Sequence, residues 1–301
     1  MKEIITTPAS RFENLQGYSF TANYLEVEPG LRIHYVDEGP KDGPIMLLLH
    51  GEPSWSYLYR KMIPILSKHG FRVIAPDLIG FGKSDKLIKK SEYTYQTHLQ
   101  WMTTFVEQLD LNDITLFCQD WGGLLGLRMV TDMPNRFAAV VASNTTLPTG
   151  QVAMPESFLQ WREYSQHSPG FEAGKIINMG TVQDLSEEVI AAYNAPFPSE
   201  EYKAEARIFP MLVPADENNP ESAINQLAWK KLMQWEKPFL TLFGDSDHIM
   251  KGAEIPMQKL IPGAKGQDHK ILNAGHFIQE EKGEELSELI LAFYEKNFNS
   301  N

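Results

Sequence analysis

The stretch that most restricts the fold of this chain is residues 114–123, Ile-Thr-Leu-Phe-Cys-Gln-Asp-Trp-Gly-Gly. Apolar residues dominate from Ile114 to Cys118 and stop at an acid, an indole and two glycines, and a helical pattern begins at Leu124. A short, mostly apolar run bounded by turn residues marks a strand buried on both faces. Strand, tight turn and helix therefore follow within a few residues, with Asp120 at the apex. Small residues stand two positions either side of the acid, Cys118 and Gly122, as so cramped a turn requires. This is the pattern of a nucleophile elbow, which presents a reactive side chain at the end of a sheet strand. An aspartate stands where such elbows usually carry serine, and that changes the chemistry available.

The rest of the chain supplies the sheet this elbow needs. Tyr24-Leu25-Glu26-Val27 and Leu31-Arg32-Ile33-His34-Tyr35-Val36 are strand-like and separated by Pro29-Gly30, a hairpin signal. A continuous apolar run follows at 45–49, the next strand is expected at 71–76 and another buried one at 137–142. Between them lie helical patterns, one expected to start near Ser54 and one carrying Leu99, Met102, Phe105, Val106 and Leu109 on a single face. Strands alternating with helices predict a parallel sheet covered on both sides. The rhythm breaks at Leu147-Pro148-Thr149-Gly150, where prolines and aromatic-rich helical patterns replace strands until about Pro214. It resumes at Pro238–Gly244 and ends with an amphipathic helix holding Leu286, Leu289, Ile290, Phe293 and Tyr294. The expectation is an α/β fold whose core spans 1–147 and 215–301, with a helical cap inserted at 148–214.

Bulk composition excludes several functions. Twenty-seven basic against 39 acidic residues give a net charge of −12, the wrong sign for nucleic acid or an anionic membrane surface. No apolar run approaches the ~18 residues of a membrane span, and the first residues lack the apolar region of a signal peptide. A cytoplasmic monomer is the expectation. Cys118 is the only cysteine, so no intrachain disulfide can form, and its apolar setting makes it a small core residue. Asn144-Thr145-Thr146 matches a glycosylation acceptor and reads as chance without a secretory signal. Gly82-Lys83-Ser84 looks like the end of a P-loop, but Asp77 occupies the place of its first glycine; Asp85 likewise replaces the third glycine of a dinucleotide fingerprint begun by Gly80 and Gly82.

In an open parallel sheet, reactive groups gather outside the carboxyl ends of the strands. Here those ends read His50-Gly51-Glu52, Asp120-Trp121, Gly244-Asp245-Ser246-Asp247 and Asn273-Ala274-Gly275-His276. Nucleophile, acid and histidine come in the chain order of the α/β-hydrolases. Asp120 could instead cap a helix, His276 could be a packed structural histidine, and Asp245 competes with Asp247 as the acid. The favoured set is Asp120, Asp247 and His276. A carboxylate is ionised at neutral pH and can displace a leaving group from a saturated carbon without a base, forming an ester on the enzyme. His276, oriented by Asp247, would then activate water to hydrolyse that ester. The backbone N–H groups of Glu52 and Trp121 would hold the oxyanion. No histidine pair has zinc-ligand spacing, and neither step needs a cofactor, so neither metal nor cofactor is expected.

Together these segments, residues 50–60, 75–86, 119–123, the acid loop and 274–280, resemble the haloalkane dehalogenases. The match is to the subfamily with His-Gly-Glu-Pro and Gln-Asp-Trp-Gly-Gly motifs. The resemblance implies hydrolysis of haloalkanes to a primary alcohol, halide and a proton. It also implies that two indole N–H groups hold the halide: Trp121 after the nucleophile, and a cap tryptophan for which Phe158-Leu159-Gln160-Trp161 fits, making Trp161 the second donor. An indole N–H donates and cannot accept, and its ring suits an apolar pocket. Another branch of that family uses an asparagine where this chain has Glu52, and an acid after the next strand, where this chain has Ser143-Asn144-Thr145-Thr146. Both departures agree with Trp161 as donor and Asp247 as acid. Phe158, Phe209 and Pro210 are expected to line the substrate pocket. The nearest rival is an epoxide hydrolase with the same nucleophile, which needs paired cap tyrosines; Tyr164, Tyr193 and Tyr202 are available. Trp121 argues against a fluoroacetate-type dehalogenase, which places arginine there, and an intact Asp120–Asp247–His276 set argues against a non-catalytic receptor.

Overall fold

The computed structural model describes residues 2–299. Eight strands form one sheet: β1 (Asn23–Glu28), β2 (Leu31–Glu38), β3 (Ile45–Leu49), β4 (Arg72–Pro76), β5 (Ile114–Gln119), β6 (Phe137–Ser143), β7 (Phe239–Gly244) and β8 (Lys270–Leu272). Their order across the sheet is β8-β7-β6-β5-β3-β4-β2-β1. The hairpin β1–β2 and the β2–β4 pair are antiparallel, and every other pairing is parallel. β5, buried at every residue, lies in the middle, between β3 and β6. Cys118 pairs with Leu49 on one side and Ala142 on the other, so these three strands end level. The elbow therefore opens at the centre of the sheet's carboxyl edge, where a parallel sheet places its ligands.

Ten α-helices accompany the sheet: α1 (Met62–Lys68), α2 (Tyr95–Gln108), α3 (Trp121–Asp132), α4 (Glu156–His167), α5 (Ala173–Met179), α6 (Glu187–Asn194), α7 (Ala204–Leu212), α8 (Pro220–Leu232), α9 (Glu254–Leu260) and α10 (Ile278–Tyr294). α2 begins with a reciprocal capping box between Thr94 and Thr97, and its apolar stripe buries Leu99, Met102, Phe105 and Val106. The helix expected near Ser54 starts later. A 3₁₀ turn occupies Ser56–Tyr59 and α1 begins at Met62. The reason is local: Ser54 bonds the Gly51 carbonyl through both its N–H and its hydroxyl, and the Ser56 N–H is held by Asp77. The amides that would open a helix are already committed.

The glycine-rich loop after β4 closes on itself. The Asp77 carboxylate, fully buried, accepts from the N–H groups of Ser56 (2.7 Å) and Lys83 (2.8 Å) and pairs with His34 Nδ1 (2.8 Å). Burial alone would raise its pKa, but His34, His50 and these amides hold it at about 2. The amides a phosphate would need are taken by the chain's own anion.

Among the described residues no strand lies between Ser143 and Phe239, and α4 to α7 fill that interval. Buried polar contacts tie these helices to the sheet domain. Glu205 on α7 pairs with His98 on α2 at 2.8 Å, both side chains excluded from water. The Tyr193 hydroxyl on α6 hydrogen-bonds Glu280 on α10, whose carboxylate also takes Arg60 at 2.5 and 2.8 Å. α8 belongs with the sheet, since Arg128 on α3 donates to Glu221 and Asn225 at 2.9 Å each. No described helix is long and apolar enough to cross a membrane.

Candidate active site

At the end of β5 the backbone of Asp120 adopts φ 51° and ψ −125°, a conformation that costs a non-glycine residue about 1–3 kcal/mol. Surrounding bonds hold it there. The Asp120 N–H donates to Asn144 O (3.1 Å), and its carbonyl accepts from the Thr145 hydroxyl (2.7 Å) and the Gly123 N–H (2.9 Å). Gly122 is obligatory, because a Cβ there would lie 2.0 Å from the Leu49 carbonyl oxygen. A Cβ at Gly51 would lie 2.2 Å from Asp120 Oδ1, so the nucleophile needs that glycine too.

The structure brings Asp120, His276 and Asp247 together. His276 Nε2 stands 3.6 Å from Asp120 Oδ2, and Nδ1 is 2.7 Å from Asp247 Oδ2. The other Asp247 oxygen accepts from the N–H groups of Ile249 (2.8 Å) and Met250 (3.0 Å), which fixes the carboxylate. Asp245 takes no part: its carboxylate accepts from the Ser246 hydroxyl beside it. Burial alone would depress the His276 pKa, but the charges of Asp247 and Asp120 outweigh it and push the imidazole up from 6.5 to about 10. Burial likewise would raise Asp247, and His276 with the two amides brings it below its ordinary value.

Glu52 contributes a backbone donor and a buried carboxyl of raised pKa. Its N–H donates to Asp120 Oδ1 at 2.7 Å. Trp121 is the first residue of α3, so its N–H has no intrahelical acceptor. The Glu52 side chain is buried, with Oε1 unpartnered. Burial, then the charges of Asp120 and Glu205, raise its pKa well above the carboxylate range. His276 and, least of all, the nearby N–H of Trp161 oppose that rise. The carboxyl therefore keeps its proton to higher pH than an ordinary glutamate.

These groups face a cavity of about 190 Å³ between the strand ends and the helices of the interval 144–238. Of the six tryptophans, only Trp121 and Trp161 line it; Phe158 and Pro210 line it as well. Phe209 does not. Instead it lies behind Trp121, ring centroids 3.9 Å apart and planes within 7°, fixing the indole from the far side. The reason is its helix: Pro210, one residue on, turns to the cavity, which leaves Phe209 facing His98 and Phe81. None of Tyr164, Tyr193 and Tyr202 lines the cavity. Among the described residues no cluster of side chains is arranged to hold a metal ion.

The chain matches the family model of the α/β hydrolase fold over residues 44–283. It is 55% identical to a haloalkane dehalogenase of Psychrobacter cryohalolentis, over 98% of this chain and 99% of that one. A haloalkane dehalogenase of Mycolicibacterium paratuberculosis is 51% identical over 96% and 98% of the two chains. The chain belongs to the haloalkane dehalogenases. In three dimensions it superposes on the tetrameric haloalkane dehalogenase of Paraglaciecola agarilytica with a TM-score of 0.90 and 35% identity, covering 96% of this chain and 98% of that one.

Several residues of this dehalogenase site escape a reading of the sequence. Asn144, part of the apparent glycosylation acceptor, is fully buried: its Nδ2 donates to the carbonyls of Gly275 (2.8 Å) and His276 (3.0 Å), and its Oδ1 accepts from the Gly244 N–H (2.8 Å). Gln119, next to the nucleophile, places its amide nitrogen 3.0 Å from His276 Nε2 and 3.3 Å from His276 O. Its position beside Asp120 is the one signal that could have singled it out.

Proposed function

We propose that the chain carries out the hydrolytic dehalogenation of its family through a covalent ester on Asp120. An Asp120 oxygen attacks the halogen-bearing carbon, the C–O bond forms, and the carbon–halogen bond breaks with its electrons leaving on the halide. Asp120 Oδ1 is held by the Glu52 N–H at 2.7 Å, leaving Oδ2 as the attacking atom. The departing halide is received by the indole N–H groups of Trp121 and Trp161, and the apolar lining, Phe158 and Pro210 among it, accepts the alkyl chain. The raised pKa of Glu52 matters here, since it disfavours a second carboxylate that would repel the anion.

In the second half, water attacks the ester carbonyl and His276 takes its proton at Nε2, with Asp247 orienting the ring through Nδ1. The tetrahedral oxyanion is held by the N–H groups of Glu52 and Trp121; as it collapses, the C–O bond to the alkyl group breaks, the alkoxide takes the remaining water proton and leaves as alcohol, and Asp120 is regenerated as a carboxylate. The partners of this cycle are substrate, water and halide, and neither metal nor cofactor enters it. Residues 148–214 act as the cap and the flanking segments as the catalytic core. We take the chain as a cytoplasmic monomer; light scattering tests the monomer against the tetramer formed by the P. agarilytica relative.

The observation that carries this reading is the placement of Asp120, Trp121 and Trp161 around one cavity that no tyrosine lines. An epoxide would need a hydroxyl donor for its opening oxygen, and a halide needs only N–H donors. Halide release from short bromo- and chloroalkanes, assayed beside diol formation from a simple epoxide, decides the matter. Halide without diol is expected; diol without halide would overturn the assignment.

A further inference from the structure

The backbone that carries His276 is bound to the cap as firmly as to the sheet. The N–H groups of His276 and Phe277 donate to the carbonyl of Gly180, at the end of α5, at 2.7 and 3.3 Å. The Gly275 N–H donates to Glu281 Oε2 at 2.7 Å. The other oxygen of Glu281 accepts from Val182 (2.9 Å) and Gln183 (3.2 Å), in the cap turn that follows Gly180. All three N–H groups of Gly275-His276-Phe277 are thus satisfied by the cap or by Glu281. Its carbonyls at Gly275 and His276 face the other way, onto Asn144 and Gln119 of the sheet edge.

From this we infer that Glu281 is a positioning residue for the base. One carboxylate clamps the histidine loop and the cap turn 180–183 together, setting where Nε2 stands relative to the Asp120 ester. Glu281 touches neither Asp120 nor the two indoles. Its influence therefore falls on the half of the cycle that uses His276 and leaves the alkylation half alone. Removing the clamp frees the loop on its cap side while Asn144 and Gln119 still hold its other side, which displaces the imidazole without unfolding the site. Displacements of about 1 Å in a reacting group cost on the order of a hundredfold in rate.

The inference rests on the two-step reading above, and the test separates the two. Glu281→Gln has the same shape but presents an NH₂ where an oxygen accepted, so either Gly275 or the Val182–Gln183 pair loses its partner. The full-length enzyme is mixed with excess 1,2-dibromoethane, quenched at intervals, and followed by bromide release and by intact mass. The variant is expected to form the adduct at the wild-type rate and amplitude, the amplitude counting folded sites, and to hydrolyse it on the order of ten- to a hundredfold more slowly. Ester would then dominate at steady state. Glu281→Asp, which keeps the charge but reaches less far, is expected to fall between the two. Wild-type hydrolysis, or alkylation and hydrolysis slowed by the same factor, would overturn the role of Glu281. A missing adduct on His276→Gln run alongside would overturn the two-step reading itself.

Discussion

Replacing Trp161 by Phe isolates one N–H. The phenyl ring keeps most of the apolar contact with the cavity and removes the only hydrogen-bond donor the indole has. A hydrogen bond to a charged acceptor contributes about 1.5–3 kcal/mol net, and a neutral one about 0.5–1.5 kcal/mol. Before halide binds, the Trp161 N–H lies near the Glu52 carboxyl and is the smallest of the influences on its pKa. Halide binding therefore exchanges a contact no stronger than the low end of the neutral range for a charged bond, a net gain of about 1–2.5 kcal/mol. At about 1.4 kcal/mol per decade, Trp161→Phe should weaken bromide binding about five- to seventyfold.

The measurement is calorimetric titration with sodium bromide at fixed ionic strength, which avoids the loss of an indole fluorophore. Trp229→Phe serves as the control. Its N–H is engaged by the Leu147 carbonyl at 2.8 Å and it does not line the cavity, so bromide affinity should stay at the wild-type value. Bromide binding within twofold of wild type in Trp161→Phe would refute the assignment of the second donor.

Three further outcomes follow from the geometry. His276→Gln should lower turnover about 10²–10⁴-fold and leave an alkyl mass on the peptide containing Asp120, read by digestion and mass spectrometry; a silent peptide would refute the ester. The imidazole of His276 is raised from 6.5 to about 10 by Asp247 and Asp120. Its contribution to stability is therefore complete below about pH 6.5 and lost as pH rises through about 10. The difference in unfolding free energy between wild type and His276→Gln, from urea titrations at pH 6 to 10.5, should shrink across that window. A constant difference would contradict the paired imidazolium. Gly122→Ala forces a methyl to 2.0 Å from the Leu49 carbonyl and should cost about 1–3 kcal/mol or more, seen as a lower Tm by calorimetry; an unchanged Tm would mean that the elbow yields freely.

The parallel part of the sheet was legible because its central strands are buried on both faces and so read as apolar runs, β3 and β6 most plainly. The convergence of Asp120, Asp247 and His276 was legible because a parallel sheet delivers its strand ends to one edge, so order along the chain translates into proximity in space. What escaped has a common cause. Asn144, Gln119, Glu281 and Gly180 act through hydrogen bonds between segments about a hundred residues or more apart, and no local period or spacing records such a bond. Phe209 shows the limit from another side. A helix with two neighbouring residues, Phe209 and Pro210, offers only one of them to the cavity. Which one depends on what α7 packs against, here the buried Glu205–His98 pair and the ring of Phe81.

The charges around His276 also fix when the proton leaves. In the resting site the imidazole stands between two carboxylates, 2.7 Å from Asp247 and 3.6 Å from Asp120, and their fields keep it protonated at neutral pH. An imidazolium cannot act as a base. Attack on the haloalkane turns Asp120 into a neutral ester, which removes one of the two anions, and departure of the halide carries that charge out of the cavity. His276 is then left with Asp247 alone, its pKa falls, and Nε2 loses its proton to solvent before water attacks. Hydrolysis returns a proton to Nε2 just as Asp120 regains its charge, so the resting state is restored without further exchange. The proton of the overall reaction is therefore released between alkylation and hydrolysis. A pH indicator in weakly buffered single-turnover reactions should show acidification after bromide appears and before the adduct mass declines. Acidification that tracks the loss of the adduct would mean that His276 is neutral in the resting enzyme and that Asp120 does not control it.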